Sequence, residues 1–213
     1  MQPPNNSACS DWLDLIQQVS ETPPNPSPLP QPRVTLANPP YGKINIGYMD
    51  ITPYDLAYSW KKQGETFVRT KQVKSTVAGE VIFSELCIRE LKPNEVAVML
   101  VPNGLLSADG MMYARKWIVS KCQLLASIQL PPEAWKAECG LGLKTSLLVL
   151  RRKLDDEPDL DYKIFITMVK KVGYDSRHNR LYIRNEQGNR TEQVDDNLPK
   201  IEQEFKQFME QHD

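Results

Sequence analysis

The sequence predicts an α/β protein with a mainly parallel sheet, a reversed last strand and a small C-terminal extension. Three observations carry this. Strand-length apolar runs alternate with helix-length segments whose apolar residues recur at helical spacing. Proline and glycine punctuate the chain where each run ends. The link between the last two strands of the series is a glycine-bearing loop with no good helix, so it can turn the chain back instead of crossing over.

Ten of the 17 prolines fall in the first 40 residues, and residues 21–33 (ETPPNPSPLPQPR) read as an extended, polyproline-like linker. Before it, Ser10 is a candidate cap for a short helix with Trp12, Leu15, Ile16 and Val19 on one face. Residues 34–37 read as a short buried strand running into Asn38-Pro39-Pro40-Tyr41-Gly42. Residues 43–79 are polar and irregular, a long loop with a helix near residues 53–63. Val81, Ile82, Leu86, Ile88 and Leu91 place a helix over residues 80–91, ended by Lys92-Pro93-Asn94. Residues 95–101 are a near-continuous apolar run, as expected of a strand covered on both faces, and Pro102-Asn103-Gly104 breaks it. A helix over 111–121, a strand over 123–130 stopped by Pro131-Pro132, and a strand over 145–150 follow. The intervening loop holds Gly140 and Gly142.

Beyond this, residues 162–169 and 181–184 read as strands. Leu198, Ile201, Phe205 and Phe208 mark a terminal amphipathic helix, with Asp196 or Asn197 as cap and Pro199 in its first turn. The organisation expected is an N-terminal segment (1–33), a core domain (34–153) and a C-terminal extension (154–213).

The formal net charge of −1 over 213 residues excludes a generally basic nucleic-acid binder, so any such role rests on a local surface or on a partner. Cys9, Cys87, Cys122 and Cys139 form no CxxC pair and, with His178 and His212, make a poor metal site; free thiols are expected, and no metal. No apolar run reaches membrane-spanning length and no signal-peptide pattern is present, so a cytoplasmic location is expected.

The chemistry concentrates in residues 38–41, at the carboxyl end of a parallel strand, where ligand sites of open α/β sheets form. An exocyclic amine on a base is a poor nucleophile, because its lone pair is delocalised into the ring. The Asn38 side-chain oxygen and the Pro39 carbonyl can both accept hydrogen bonds from such an amine and leave the lone pair free for a methyl donor. Pro39 and Pro40 fix the backbone before substrate arrives. Tyr41 can stack on the base, offsetting stacking lost when a nucleotide is flipped from a duplex. The plain alternative is a Pro-Pro turn beside a Pro-rich linker.

The tetrad is similar to the catalytic motif of amino-methyltransferases. Further stretches, in order, resemble the modification subunits of type I restriction–modification systems and their N-6 adenine methylase relatives: LANPPYG (36–42), FSELCIRELKPNEVAVMLVPNGLLS (83–107), LLASIQLPPEAW (124–135), KTSLLVLRRK (144–153), VGYD (172–175) and DNLP (196–199). The resemblance implies the C-terminal half of a Rossmann-like S-adenosylmethionine-dependent methyltransferase fold. It also implies S-adenosylmethionine as donor and adenine of DNA as acceptor. Asn38, Pro39, Pro40 and Tyr41 would be catalytic, with Asn38 touching the edge of the cofactor. Tyr41, Pro102, Gly104 and Trp135 would lie at the target base. Partners implied are DNA and a protein that supplies the missing sheet half or sequence specificity.

These enzymes place a glycine-rich loop before the tetrad; here the first glycine is Gly42, so the cofactor-binding half is expected to be missing. The strand over 34–37 then becomes a sheet edge, and weak or no cofactor binding by the chain alone is expected. A silent binding or assembly module is the alternative from a different class. An enzyme acting on RNA or on a glutamine amide is a third, against which the type-I-like motif order argues. Trp117 is expected in the core, and Trp135 fits core or site equally. The lysines at 61–62, 71–74 and 170–171 suit either phosphate or solvent, and the role of Tyr174 and Asp175 stays open.

Overall fold

The computed structural model describes residues 34–45, 50–139, 142–154, 157–158 and 161–211. The proposed N-terminal helix, the Pro-rich linker, Gly140 and His212 lie outside them.

A five-stranded sheet forms the centre, in the order β1 (Val34–Ala37), β6 (Val96–Pro102), β8 (Thr145–Arg152), β7 (Cys122–Leu130), β9 (Phe165–Met168). β1 pairs parallel with β6, and β9 parallel with β7. β8 is inserted between β6 and β7 and is antiparallel to both. The reversed strand is therefore the one that follows the glycine-bearing connection, as expected, but that connection is not helix-free: it holds a short helix over Glu133–Cys139.

Two helices cover one face: α1 (Gly79–Glu90) between β1 and β6, and α3 (Met112–Lys121) between β6 and β7. Val81, Ile82 and Ile88 of α1 meet Ala114, Trp117 and Ile118 of α3 over Ala97, Met99, Leu148 and Leu150 of the sheet. Ile88, Met99 and Leu150 are fully buried; each such side chain stabilises by roughly 1.5–3 kcal/mol. A short α2 (Asn103–Ser107) follows β6, and α4 (Glu133–Cys139) follows β7. The opposite face is covered by α5 (Leu198–Glu210), where Phe205 and Phe208 tilt against Phe165 of β9. Asp196, not the adjacent Asn197, supplies the capping oxygen, accepting from the Leu198 amide at 2.8 Å.

Two expectations are corrected. The helix expected near residues 53–63 is a one-turn 3-10 segment (Asp55–Ala57) followed by a hairpin of β3 (Tyr58–Gln63) and β4 (Thr66–Val73). Gly64, at φ 62, opens its two-residue loop, a position that favours glycine. Fully buried Glu85 fixes the 3-10 turn, accepting the Asp55 and Leu56 amides at 2.7 Å each. The strand over 34–37 is not the buried strand its apolar residues suggest, although the edge position expected for it is the one found. It lies at the sheet edge among the described residues, with Val34 60% and Leu36 78% exposed. Past β9, β10 (Tyr182–Arg184) pairs with a strand that was not expected, β11 (Arg190–Val194). No described helix is long and apolar enough to cross a membrane.

Candidate active site

The parallel strands β1, β6, β7 and β9 end on one rim, and residues 38–42 leave β1 at that rim. Asn38 is exposed, Pro39 is buried, and Pro40 and Tyr41 are half-buried. The proline pair thus forms the fixed inner side of an elbow whose amide side chain faces solvent. The Tyr41 hydroxyl donates to Asn38 Oδ1 at 3.1 Å and approaches the Leu100 carbonyl of β6 at 3.4 Å. An amide oxygen has two acceptor sites, so Asn38 Oδ1 can hold Tyr41 and still accept from an incoming amine.

Gly42 turns the chain at φ 100, a conformation that non-glycine residues rarely adopt. Its carbonyl accepts the Gly79 amide at 2.7 Å and its amide donates to Glu80 Oε2 at 3.1 Å. From there β2 (Lys43–Asn45) pairs antiparallel with β5 (Thr76–Ala78), which runs directly into α1. The elbow is therefore clamped to the first turn of α1. Sequence reasoning missed Glu80. Its signal was only a buried acid opening an apolar helix.

The break after β6 is brought next to the elbow, because β1 and β6 are neighbours. Pro102 is buried and Gly104 is exposed. Asn103, between them, accepts from the Ser146 hydroxyl at 2.9 Å and ties this loop to β8. Trp135 follows β7 on the same rim, and its side chain reaches back to the start of β8, the strand beside β6. Its Nε1 donates to Thr145 Oγ1 at 2.7 Å, and its ring packs in the cluster of Leu100, Leu130 and Val172 that also holds Tyr174. Trp117 lies in the core, 7% exposed, with Nε1 3.3 Å from Asp55 Oδ2. Lys61, Lys62, Lys71, Lys170 and Lys171 are exposed. Asp175 closes a tight turn, accepting the Arg177 and Asn179 amides at 2.8 and 3.0 Å.

Among the described residues no group of three or more His, Cys, Asp or Glu could hold a metal. A methyl donor needs a backbone cradle of close approach. A Cβ added at Gly42, Gly104 or Gly110 would meet nothing within 4 Å, so no described side chain or backbone closes over these glycines.

The parallel-rich sheet with one inserted antiparallel strand resembles the S-adenosylmethionine-dependent methyltransferase fold. The profile of the N-6 DNA methylase family matches residues 18–213, and the chain belongs to that family.

Among solved structures it is similar to a class I S-adenosylmethionine-dependent methyltransferase from Listeria monocytogenes (18% identity, 63% of this chain and 36% of that chain, TM-score 0.45). It is also similar to a modification subunit of a type I restriction enzyme from Vibrio vulnificus (23%, 56% and 22%, TM-score 0.42). The M protein of the type I restriction enzyme EcoKI is a third (22%, 66% and 24%, TM-score 0.39). The chain thus spans about a third or less of the length of these structures. No curated protein sequence matches it significantly.

Proposed function

We propose that this chain carries the base-binding side of an adenine-N6 DNA methyltransferase of the type I modification-subunit kind. The observation that carries the reading is the elbow. Asn38 stands exposed at the carboxyl end of a parallel strand, with Oδ1 held by Tyr41 at 3.1 Å and the backbone fixed by a buried proline.

In this reading the 6-amino group of a flipped adenine enters over the elbow. Asn38 Oδ1 and the Pro39 carbonyl accept its two N–H groups, which draws the nitrogen toward tetrahedral geometry and frees its lone pair. Tyr41 orients the Asn38 amide through its hydroxyl and lends its ring to the base. Glu80 keeps the elbow in register. S-adenosylmethionine supplies an electrophilic methyl group, held by residues outside the described set or by a partner chain. No covalent enzyme intermediate is required.

The test is the identity of the product. The chain, combined with the protein that completes its sheet, is incubated with duplex DNA and S-adenosylmethionine, and the digested nucleosides are analysed by mass spectrometry. N6-methyldeoxyadenosine is expected. Methyl groups found only on cytosine, or on protein, would overturn the reading.

A further inference from the structure

The extension beyond β9 starts on the same rim as the elbow, since β9 is parallel to β7 and the Val169 amide donates to the Gln129 carbonyl at 2.8 Å. It is fastened there. Val169 and Val172 pack with Leu100, Leu130 and Ile201, and α5 starts from this cluster before running down the sheet. The hairpin of β10 and β11 therefore stands at the rim, on the edge opposite β1. Four strand spacings, about 19 Å, separate the two edges.

This hairpin has an unusual charge pattern. Arg180, Tyr182 and Arg184 occupy alternate positions of one extended run, and Arg184 lies directly across from Arg190. Like charges directly opposite on a strand pair are destabilising. The Arg190 guanidinium lies 3.5 Å from the Tyr182 ring centroid, and Arg184 donates to the Gly188 carbonyl at 2.8 Å. All three arginines are exposed and, among the described residues, none forms an ion pair, whereas nearby Lys171 and Lys200 are paired with Asp195 and Glu204. The hairpin's own acids, Glu186 and Glu192, pair with none of them. In a chain of net charge −1, a facing arginine pair without a counter-ion is a local anion surface that folding does not need.

We propose that Arg180, Arg184 and Arg190, set around the Tyr182 ring, hold the sugar–phosphate backbone of duplex DNA while the elbow works on an extruded base. This rests on the function proposed above and adds the surface that positions the duplex. Planar guanidinium groups suit phosphate oxygens. A contact about 19 Å from the elbow would grip the backbone flanking the target without reading sequence.

The test is fluorescence anisotropy of a labelled duplex with the full chain over a series of salt concentrations. Wild type is compared with the triple variant Arg180→Ala/Arg184→Ala/Arg190→Ala. Losing three phosphate contacts is expected to lower the slope of log affinity against log salt by about 2 to 3. Affinity should fall at least ~10-fold at moderate salt, equally for unrelated sequences. Arg184→Glu separates function from folding: it replaces a like-charge pair by an opposite pair, so it should raise Tm while weakening DNA binding. A folded triple variant with wild-type slope and affinity overturns the proposal, and so does a wild-type chain showing no salt-dependent duplex binding. Asn38→Ala should leave the salt slope unchanged and, measured in the completed enzyme, lower methyl transfer at least about 100-fold. An unchanged slope in the triple variant beside an impaired Asn38→Ala therefore condemns the hairpin alone, and a fully active Asn38→Ala condemns the elbow.

Discussion

The Gly42 amide donates to the Glu80 carboxylate at 3.1 Å, joining the exit of the elbow to the first turn of α1 across 38 residues of chain. Glu80 is 7% exposed, so this bond works in a partly dehydrated setting. A hydrogen bond to a charged group is worth about 1.5–3 kcal/mol. If part of that keeps Asn38 in place, Glu80→Ala lowers kcat for methyl transfer about 10- to 100-fold with duplex affinity little changed. Glu80→Gln keeps an acceptor and restores most of the rate. Single-turnover kinetics together with anisotropy separate the two effects. Equal losses in the Ala and Gln variants would show that Glu80 acts otherwise.

Gly173 anchors the extension. It adopts φ 80, and an added Cβ would lie 2.6 Å from Val194 Cγ1, on a branched side chain with little freedom to move. Gly173→Ala is expected to destabilise the extension by about 1–3 kcal/mol, seen as a lower Tm and faster proteolysis within the extension. Adding Val194→Ala should recover part of the loss, since the clash goes and the backbone strain stays.

Lys74 is half-buried with Nζ 3.8 Å from the Tyr113 ring centroid, and burial pulls its pKa from 10.5 to about 8. The ring attracts the cation, but desolvation outweighs that attraction. Between pH 8 and 10.5 the unfolded chain keeps the Lys74 proton that the folded chain has released, so this residue makes stability rise with pH across that window. Lys74→Met, which keeps the stem and removes the charge, should raise Tm at pH 7. The gain should shrink as the pH climbs through the window. A gain that is the same at every pH would contradict the assignment.

Burial pushes the thiols of Cys87 and Cys122 up to about 11. At pH 8 only about one in a thousand of either is thiolate. Both should resist a disulfide-exchange reagent at pH 8 in the native protein and react at once on unfolding. Rapid native labelling at either position would remove one support for a transfer without a cysteine nucleophile.

β1, β6 and β7 were legible because each runs into proline within two residues, and the reversal of β8 was legible from its glycine-bearing connection, although the short helix over Glu133–Cys139 in that connection was not. The hairpin of β3 and β4 was not. Half of its strand residues are lysine, threonine or glutamine, nearly all exposed, and its packing rests on Trp60 stacking with Tyr113 at 6.1 Å, a partner 53 positions away. β11 (RTEQV) is equally polar and is specified by its partner strand. At the candidate site, residues 38–41 stand out in the sequence because an amide and two prolines directly follow a strand-length apolar run. Glu80 does not, since its contact with Gly42 exists only once β2 and β5 pair. Trp135 fitted site or core equally by sequence; its bond to Thr145 ties it to β8, a contact no local pattern encodes.

The most direct measurement is single-turnover methyl transfer to duplex DNA by the completed enzyme carrying Asn38→Ala. Asn38 is exposed, so the substitution should leave Tm and DNA affinity close to wild type. If its side-chain oxygen holds the adenine amine, the rate falls at least about 100-fold, the scale seen when one transition-state acceptor or donor is removed. A wild-type rate in that variant would contradict the role given to the elbow.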